Sequence, residues 1–278
     1  MKTLDINNPF AAGVFYEETV STTMDVARAL AASGEPHGTA ITTDFQEVAR
    51  ARFKRPWSGE RGQSLLFTIL LRYDSAARIP QALPLKAGLA VSLAVEDVAP
   101  ILSGRVMVKW PNDVMICSAV KSGGTDEGRK AAGILVEADG ATVYIGIGVN
   151  VAQRNFPPEF RAKAGSIIEA AGELPDGARF TLLEKILARL HRELEPPADA
   201  PAAGKIPAAD YYAAPWQQRL GQRLYKKAER VIFAPGAADT DCLVEGTISG
   251  LGAAGELLII PAGEQTAQAF VTGELRVY

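Results

Sequence analysis

Between Glu195 and Ala209 the chain reads EPPADAPAAGKIPAA, a run dominated by proline and alanine. Such a stretch behaves as a linker or a surface-hugging crossover rather than as a packed element. The patterns on its two sides differ. Before it, helical spacing of apolar residues alternates with short β-type runs; after it, from Gly221 onward, only short β-type runs and turns remain. A chain of 278 residues divides most naturally into one large and one small domain. The expected organisation is a larger unit over residues 1–195, a linker with a short helix over 196–218, and a small all-β unit over 219–278.

In the larger unit, Val14–Val20, Thr39–Thr43, Leu65–Leu71, Arg105–Lys109, Val114–Cys117, Ala131–Ala138 and Thr142–Val151 read as strands from their β-branched and apolar content. Asp139-Gly140 marks a hairpin between the last two. Met24–Ala32, Gln81–Val98 and Leu182–Leu194 have helical spacing, with a further helical piece near Ser166–Ala171. Ser21 or Thr22 caps the first helix, Ser33-Gly34 ends it, and Thr181 caps the helix at Leu182–Leu194. The fold class is therefore α/β of the α+β type, a mixed β-sheet backed by helices. In the small unit, a helix over Ala209–Gln218 precedes strands at Arg223–Tyr225, Arg230–Phe233, Cys242–Ile248, Leu257–Ile260 and Ala267–Thr272. Short strands at that spacing suggest a small β-barrel.

Composition excludes several function classes. A net charge of −3 supplies no global field for nucleic acid or an acidic membrane. With His37 and His191 as the only histidines, a histidine metal site or triad is not expected. Cys117 and Cys242 fit neither a metal-ligand spacing nor a disulfide framework, and point to a reducing cytosol. Met1–Phe10 has no apolar core of a signal peptide, and Leu65–Leu71 is too short to span a bilayer. A cytoplasmic location without membrane attachment is expected.

The chemistry concentrates in a few places. Lys109-Trp110-Pro111-Asn112-Asp113 forms a polar corner between two β-type runs. Asn and Asp favour turns there, and Pro111 extends Trp110. Lys130 stands at the start of an apolar strand, and Asn150 stands late in the glycine-containing strand GIGVN. Asp44–Gln63 carries Arg50, Arg52, Lys54, Arg55 and Arg61 with Phe53 and Trp57 interleaved, and reads as a long basic loop. Each feature has a plain structural reading as well. Ser21 or Thr22 serves as a helix cap, Lys130 as a sheet-edge lysine, Gly146 and Gly148 as close strand packing, and the arginines as a solvated face.

Taken together and in this order, Lys109–Asp113, Lys130–Glu137 and Gly146–Asn150 resemble the motifs of biotin protein ligases, within the biotin/lipoate A/B ligase superfamily. Glu245–Leu251 and Gly255–Leu258 resemble that family's small SH3-like C-terminal domain. The resemblance implies a class II synthetase-like catalytic domain followed by an SH3-like β-barrel. It implies ATP- and Mg²⁺-dependent ligation of biotin to a lysine of a biotin carboxyl carrier domain, through biotinyl-5′-adenylate. Lys130, Arg50 and Arg52 would be catalytic. Ser21, Thr22, Gln46, Arg50, Trp57 and Gly133 would bind biotin. Arg52, Arg55, Trp57, Lys109, Asn112 and Asn150 would bind ATP, and Asp113 would hold Mg²⁺. Trp110 would add aromatic surface around the ligands. A lysine suits the first role, being a compact point charge, and guanidinium forks suit phosphates. A homodimer is compatible with the resemblance. Too few residues precede Val14 for an N-terminal helix-turn-helix, so neither a repressor domain nor DNA binding is expected.

The family's ligand loop reads Gly-Arg-Gly-Arg-x-Gly-Arg-x-Trp. Here Ala49-Arg50-Ala51-Arg52-Phe53-Lys54-Arg55-Pro56-Trp57 keeps the arginines and the tryptophan but none of the glycines. Alanine and lysine reach positive φ only at a cost of roughly 1–2 kcal/mol per residue, so this loop folds over a ligand in a different way. Two alternatives stand beside biotin ligation. One is a lipoate or octanoate ligase or transferase. The other is a divergent ligand-binding protein with weak or no activity.

Overall fold

The computed structural model describes residues 1–48, 57, 59–118, 128–195, 214–236 and 242–276. Strands β1 (Lys2–Thr3), β2 (Val14–Val20), β3 (Ala40–Gln46) and β4 (Ser64–Arg72) are followed by β5 (Val106–Lys109), β6 (Asp113–Ile116), β7 (Arg129–Asp139) and β8 (Thr142–Asn150). They form one eight-stranded sheet in the order β1-β2-β3-β4-β8-β7-β6-β5, mixed because β2 and β3 run parallel while their neighbours pair antiparallel.

Leu65–Leu71 is unbroken apolar because both faces of β4 are covered. Leu65, Phe67, Ile69 and Leu71 join one core with α2 (Leu83–Val98) and α4 (Ala178–Leu194). Leu70 faces the opposite side and packs with Ile41, Tyr144 and helix α1 (Thr23–Ala32). That single short helix leaves part of its face of the sheet open, and the candidate site lies there.

Helix α2 has almost no polar face. Its Leu83, Ala87, Ala90, Val91, Ala94 and Val95 pack on the large sheet. Its Leu85, Leu89 and Leu93 pack on the C-terminal β unit. That unit follows helix α5 (Trp216–Gly221) and contains β9 (Arg230–Pro235), β10 (Val244–Leu251), β11 (Leu257–Pro261), β12 (Gln268–Phe270) and β13 (Gly273–Arg276) in the order β12-β11-β10-β9-β13. Helix α3 (Ile167–Ala171) begins with a Ser166–Glu169 capping box. The two parts are stitched at several points. Val108 bridges Leu224, Trp110 Nε1 donates to Gly255 O at 3.0 Å, and Glu96 takes a two-pronged contact from Arg223 at 2.7 and 2.8 Å. Arg219 pairs with Glu193 in the same region.

The mixed sheet, its helical backing and the small C-terminal sheet match the sequence-based expectation. Local details differ. Of the helix expected at Ala209–Gln218, residues 209–213 lie outside the described residues, and the described part is helical over Trp216–Gly221, starting behind Pro215. Arg223–Tyr225 makes one bridge to Val108 rather than a strand. Helix α4 starts at Ala178 behind Gly177, so Thr181 lies within its first turn and not at its cap. Ala267–Thr272 shortens to Gln268–Phe270, and Gly273–Arg276 adds an unforeseen strand on β9. Gly273 has φ +148, and a Cβ there would stand 2.3 Å from the Phe233 ring, so no other residue fits. Strand β3 continues through Gln46 into the expected basic loop, of which residues 49–56 and 58 lie outside the described residues. The same holds for residues 119–127 and for the linker at 196–213.

Tyr73 packs on the rim of the main core, edge-on to His37. Burial, reinforced by the Glu195 carboxylate, pushes its phenol up to about 12. The folded state holds this proton more tightly than the unfolded chain does. The group's stabilising contribution is therefore complete below pH 10 and lost as pH rises through about 12. Tyr73→Phe is expected to flatten the alkaline fall in stability over that window, read from thermal melts at stepped pH. An unchanged alkaline slope would refute the assignment.

Candidate active site

The open face of the sheet carries a cavity of about 300 Å³. Its walls come from the start of α1, the end of β3, the middle of β4, the β5–β6 corner, the β7–β8 pair and the start of β13. The sheet floor is hollow for a simple reason: Gly133 and Gly148 are cross-strand partners, and Gly146 pairs with Leu135. Any Cβ at Gly148 would stand 2.9 Å from the Trp57 indole, and one at Gly133 would stand 3.0 Å from it. The glycines thus seat Trp57, which lies over the Lys130 ammonium at 5.7 Å.

One end of the cavity is charged. Lys130 Nζ meets Asp113 Oδ1 at 2.7 Å, and Lys109, Asp113, Lys130 and Glu274 all line it. Burial lowers the Lys109 pKa, and the Asp113 and Glu274 carboxylates counter that shift in part. Removing the Lys109 ammonium from bulk water strengthens its pull on an anion. The corner that carries Asp113 is held rigidly. Asn112 Nδ2 donates to Ile134 O at 2.7 Å and Ile134 N donates to Asn112 O at 2.9 Å, locking the β5–β6 turn to β7.

A second, uncharged polar string lines the side wall. Thr68 Oγ1 donates to Thr23 Oγ1 at 2.9 Å, and Thr23 donates from its backbone N and its hydroxyl to Gln46 Oε1 at 2.7 and 3.1 Å. Met24, Leu135 and Ile147 supply apolar surface between the two polar regions. An arrangement of this kind receives a molecule with an anionic end, an apolar middle and a neutral hydrogen-bonding body.

The residues singled out from the sequence fall into three groups. Thr22, Gln46, Trp57, Lys109, Asn112, Asp113, Lys130 and Gly133 all line the cavity. Thr22 also accepts from Asp25 N, so its plain reading as a helix cap holds too. Ser21 and Asn150 are not among the lining residues. Ser21 is exposed, while Asn150 is buried, its Nδ2 donating to Gly165 O at 3.0 Å and to Lys130 O at 3.5 Å. It thereby braces the strand start that bears Lys130, and its Oδ1 is buried with no hydrogen-bond partner among the described residues. Arg50, Arg52 and Arg55 lie outside the described residues. Trp110 touches the cavity but belongs to the C-terminal core, buried edge-on to Phe233 with its N–H committed to Gly255.

Other cavity residues escaped the sequence reading. A lone threonine in the apolar run of β4 was the available signal for Thr68. Glu137 closes the recognised Lys130–Glu137 motif without having been given a role, Thr23 follows the cap residue Thr22, and Arg28 lies within the expected helix Met24–Ala32. Nothing local marks Glu274, which arrives from the far end of the chain. Among the described residues no cluster of three His, Cys, Asp or Glu side chains could hold a metal ion, and no helix is long and apolar enough to cross a membrane.

The model of the biotin/lipoate A/B protein ligase family matches residues 16–150. The bifunctional ligase/repressor BirA of Bacillus subtilis is 34% identical over 172 residues, covering 59% of this chain and 49% of the relative. A biotin--[acetyl-CoA-carboxylase] ligase of Mycobacterium tuberculosis is 31% identical over 182 residues, covering 64% and 60%. The match thus spans about half the length of the Bacillus relative. The solved biotin protein ligase of Aquifex aeolicus in complex with biotin and ATP superposes with a TM-score of 0.70 at 24% identity, over 95% of this chain and 97% of that one.

Proposed function

We propose, from the match of residues 16–150 to the biotin/lipoate A/B protein ligase family, that this chain ligates biotin to a lysine of a carrier protein in two steps, through biotinyl-5′-adenylate. The observation that carries this reading is Lys130 at the head of a glycine-floored hollow, beside Lys109 and Asp113. In the first step a carboxylate oxygen of biotin attacks the α-phosphorus of ATP, and the bond to pyrophosphate breaks. Two anions must meet, and fixed positive charge in a partly desolvated site lowers that barrier. Lys130 would bridge the carboxylate and the α-phosphate, and Lys109 would face the phosphates. In the second step the ε-amine of the carrier lysine attacks the activated carbonyl and AMP leaves.

The neutral string of Thr23, Thr68 and Gln46 suits the ring system of biotin, whose amide-like edge both donates and accepts. Asn150 Oδ1 and Trp57 Nε1 are buried with no hydrogen-bond partner among the described residues, and such atoms call for a ligand or water to complete them. Magnesium would enter with the triphosphate, held by Asp113 along with phosphate oxygens and water, since Mg²⁺ needs few protein carboxylates. Arg50, Arg52 and Arg55 would grip the phosphates. The acceptor would be a biotin carboxyl carrier domain, with the cytoplasm as the site of action.

The test is direct. Incubation with biotin, ATP, Mg²⁺ and a biotin carrier domain is expected to release pyrophosphate and to add one biotinyl mass to the carrier. Neither signal appearing would sink the reading. Preferential turnover of lipoate or octanoate in competition with biotin would redirect it to a related acid.

A further inference from the structure

We propose that Arg28 and Glu137 form a gate at the end of the cavity remote from Lys130, and that this gate limits the length of carboxylic acid the cavity accepts. The inference rests on the reading above, in which an acid places its carboxylate at Lys130.

Successive cross-strand pairs of β7 and β8 share one face of the sheet: Gly133 with Gly148, Leu135 with Gly146, and Glu137 with Tyr144; all of these except the buried Tyr144 line the cavity. Two residues of strand advance about 6.6 Å, so the third pair lies about 13 Å beyond the first. The first pair has no side chains at all. The second has one, and there the Met24 Cε lies 3.0 Å from where a Gly146 Cβ would stand. At the third pair both side chains are large, and the hollow ends.

Arg28 closes that end from above. It sits one helical turn after Met24 on the same face of α1. Its guanidinium lies over the buried Tyr144 ring at 4.6 Å, and its Nη2 meets Glu137 Oε2 at 2.5 Å. The side chains are 36% and 42% exposed, so the pair faces solvent on one side and the cavity on the other. A half-exposed ion pair contributes little to folding and weakens in salt, so it opens without disturbing the sheet. A compact acid ends inside the gate. A long straight-chain acid must break the Arg28–Glu137 contact to run out between α1 and β7.

Calorimetric titration of the full chain with biotin, octanoate and dodecanoate, in the absence of ATP, tests this. Pyrophosphate release with each acid is measured in parallel. The unmodified chain is expected to bind biotin and to disfavour dodecanoate. Arg28→Ala and Glu137→Ala are each expected to raise the dodecanoate-to-biotin affinity ratio by about tenfold or more, as buried methylenes replace a broken contact. Added salt should shift the unmodified chain in the same direction. A ratio unchanged in both variants would overturn the gate, as would a starting chain that binds dodecanoate as tightly as biotin. A raised ratio without pyrophosphate release in any sample would retain the gate and remove the ligase reading. Failure to bind any of the acids would overturn both.

Discussion

Replacing Lys130 with methionine is expected to lower pyrophosphate release by about 10²–10³-fold, the usual effect of removing one preorganised charge from a developing anionic centre. The side chain sits 2.7 Å from Asp113 at the charged end of the cavity, with the Trp57 indole alongside. Methionine keeps most of the aliphatic stem and loses only the ammonium. The loss should not be structural. Lys130 and Asp113 are 32% and 23% exposed, and a pair so wetted contributes about 1 kcal/mol or less to stability. Lys130→Arg restores charge but as a planar fork rather than a point, and is expected to recover only part of the rate. The measurement is kcat for pyrophosphate release alongside a thermal melt. A Lys130→Met protein with near-normal kcat would show that the ammonium does not touch the reaction.

The largest stability effect is expected far from the cavity. Glu193, near the end of α4, is fully buried and receives both terminal nitrogens of Arg219 on α5, one of them at 2.6 Å. Arg219 is almost as buried, and its Nε donates to Ala214 O. Glu193→Ala would leave a guanidinium in the interior without its carboxylate. Breaking such a pair costs about 3–5 kcal/mol, several times the value of a surface pair. The double substitution Glu193→Met with Arg219→Leu removes both charges and is expected to recover most of that loss. Denaturant unfolding measures both variants. A single substitution costing under about 1 kcal/mol would mean that water reaches this pair.

The large-sheet strands from β2 to β8 were legible because apolar and β-branched runs end at clear turn residues, and pairing only adjusted their edges; β1, only Lys2–Thr3, was missed because two residues carry no pattern and pairing with β2 alone makes them a strand. The helices over Leu83–Val98 and Ala178–Leu194 were legible for the same reason, with a shift at each start. The C-terminal region was harder. Gly273–Arg276 is short and only half apolar, and pairing with β9 alone makes it a strand. Leu224 reads as part of a strand by composition, yet its surroundings give it a single bridge. Many of the residues that line the cavity stood out in the sequence, because a glycine or a charge inside an apolar strand weakens its packing and so marks a hollow or a polar edge. Trp110 was read as ligand surface, yet it is mainly an anchor between the two parts of the molecule, since what an indole N–H bonds to depends on a segment 145 residues away.

By itself, the sequence determined which residues carry charge, which strands lack side chains at Gly133, Gly146 and Gly148, and where helix and sheet patterns begin. Those are local properties of backbone period and side-chain type. Tertiary structure alone decided that the two glycine-bearing strands pair so that their gaps coincide, that Lys130 meets Asp113, that Asn150 braces the Lys130 strand, and that Glu274 reaches the same cavity. Strand register and the packing of α2 between two sheets produce these contacts. Both arise from burying apolar surface across long sequence separations, which no local pattern encodes.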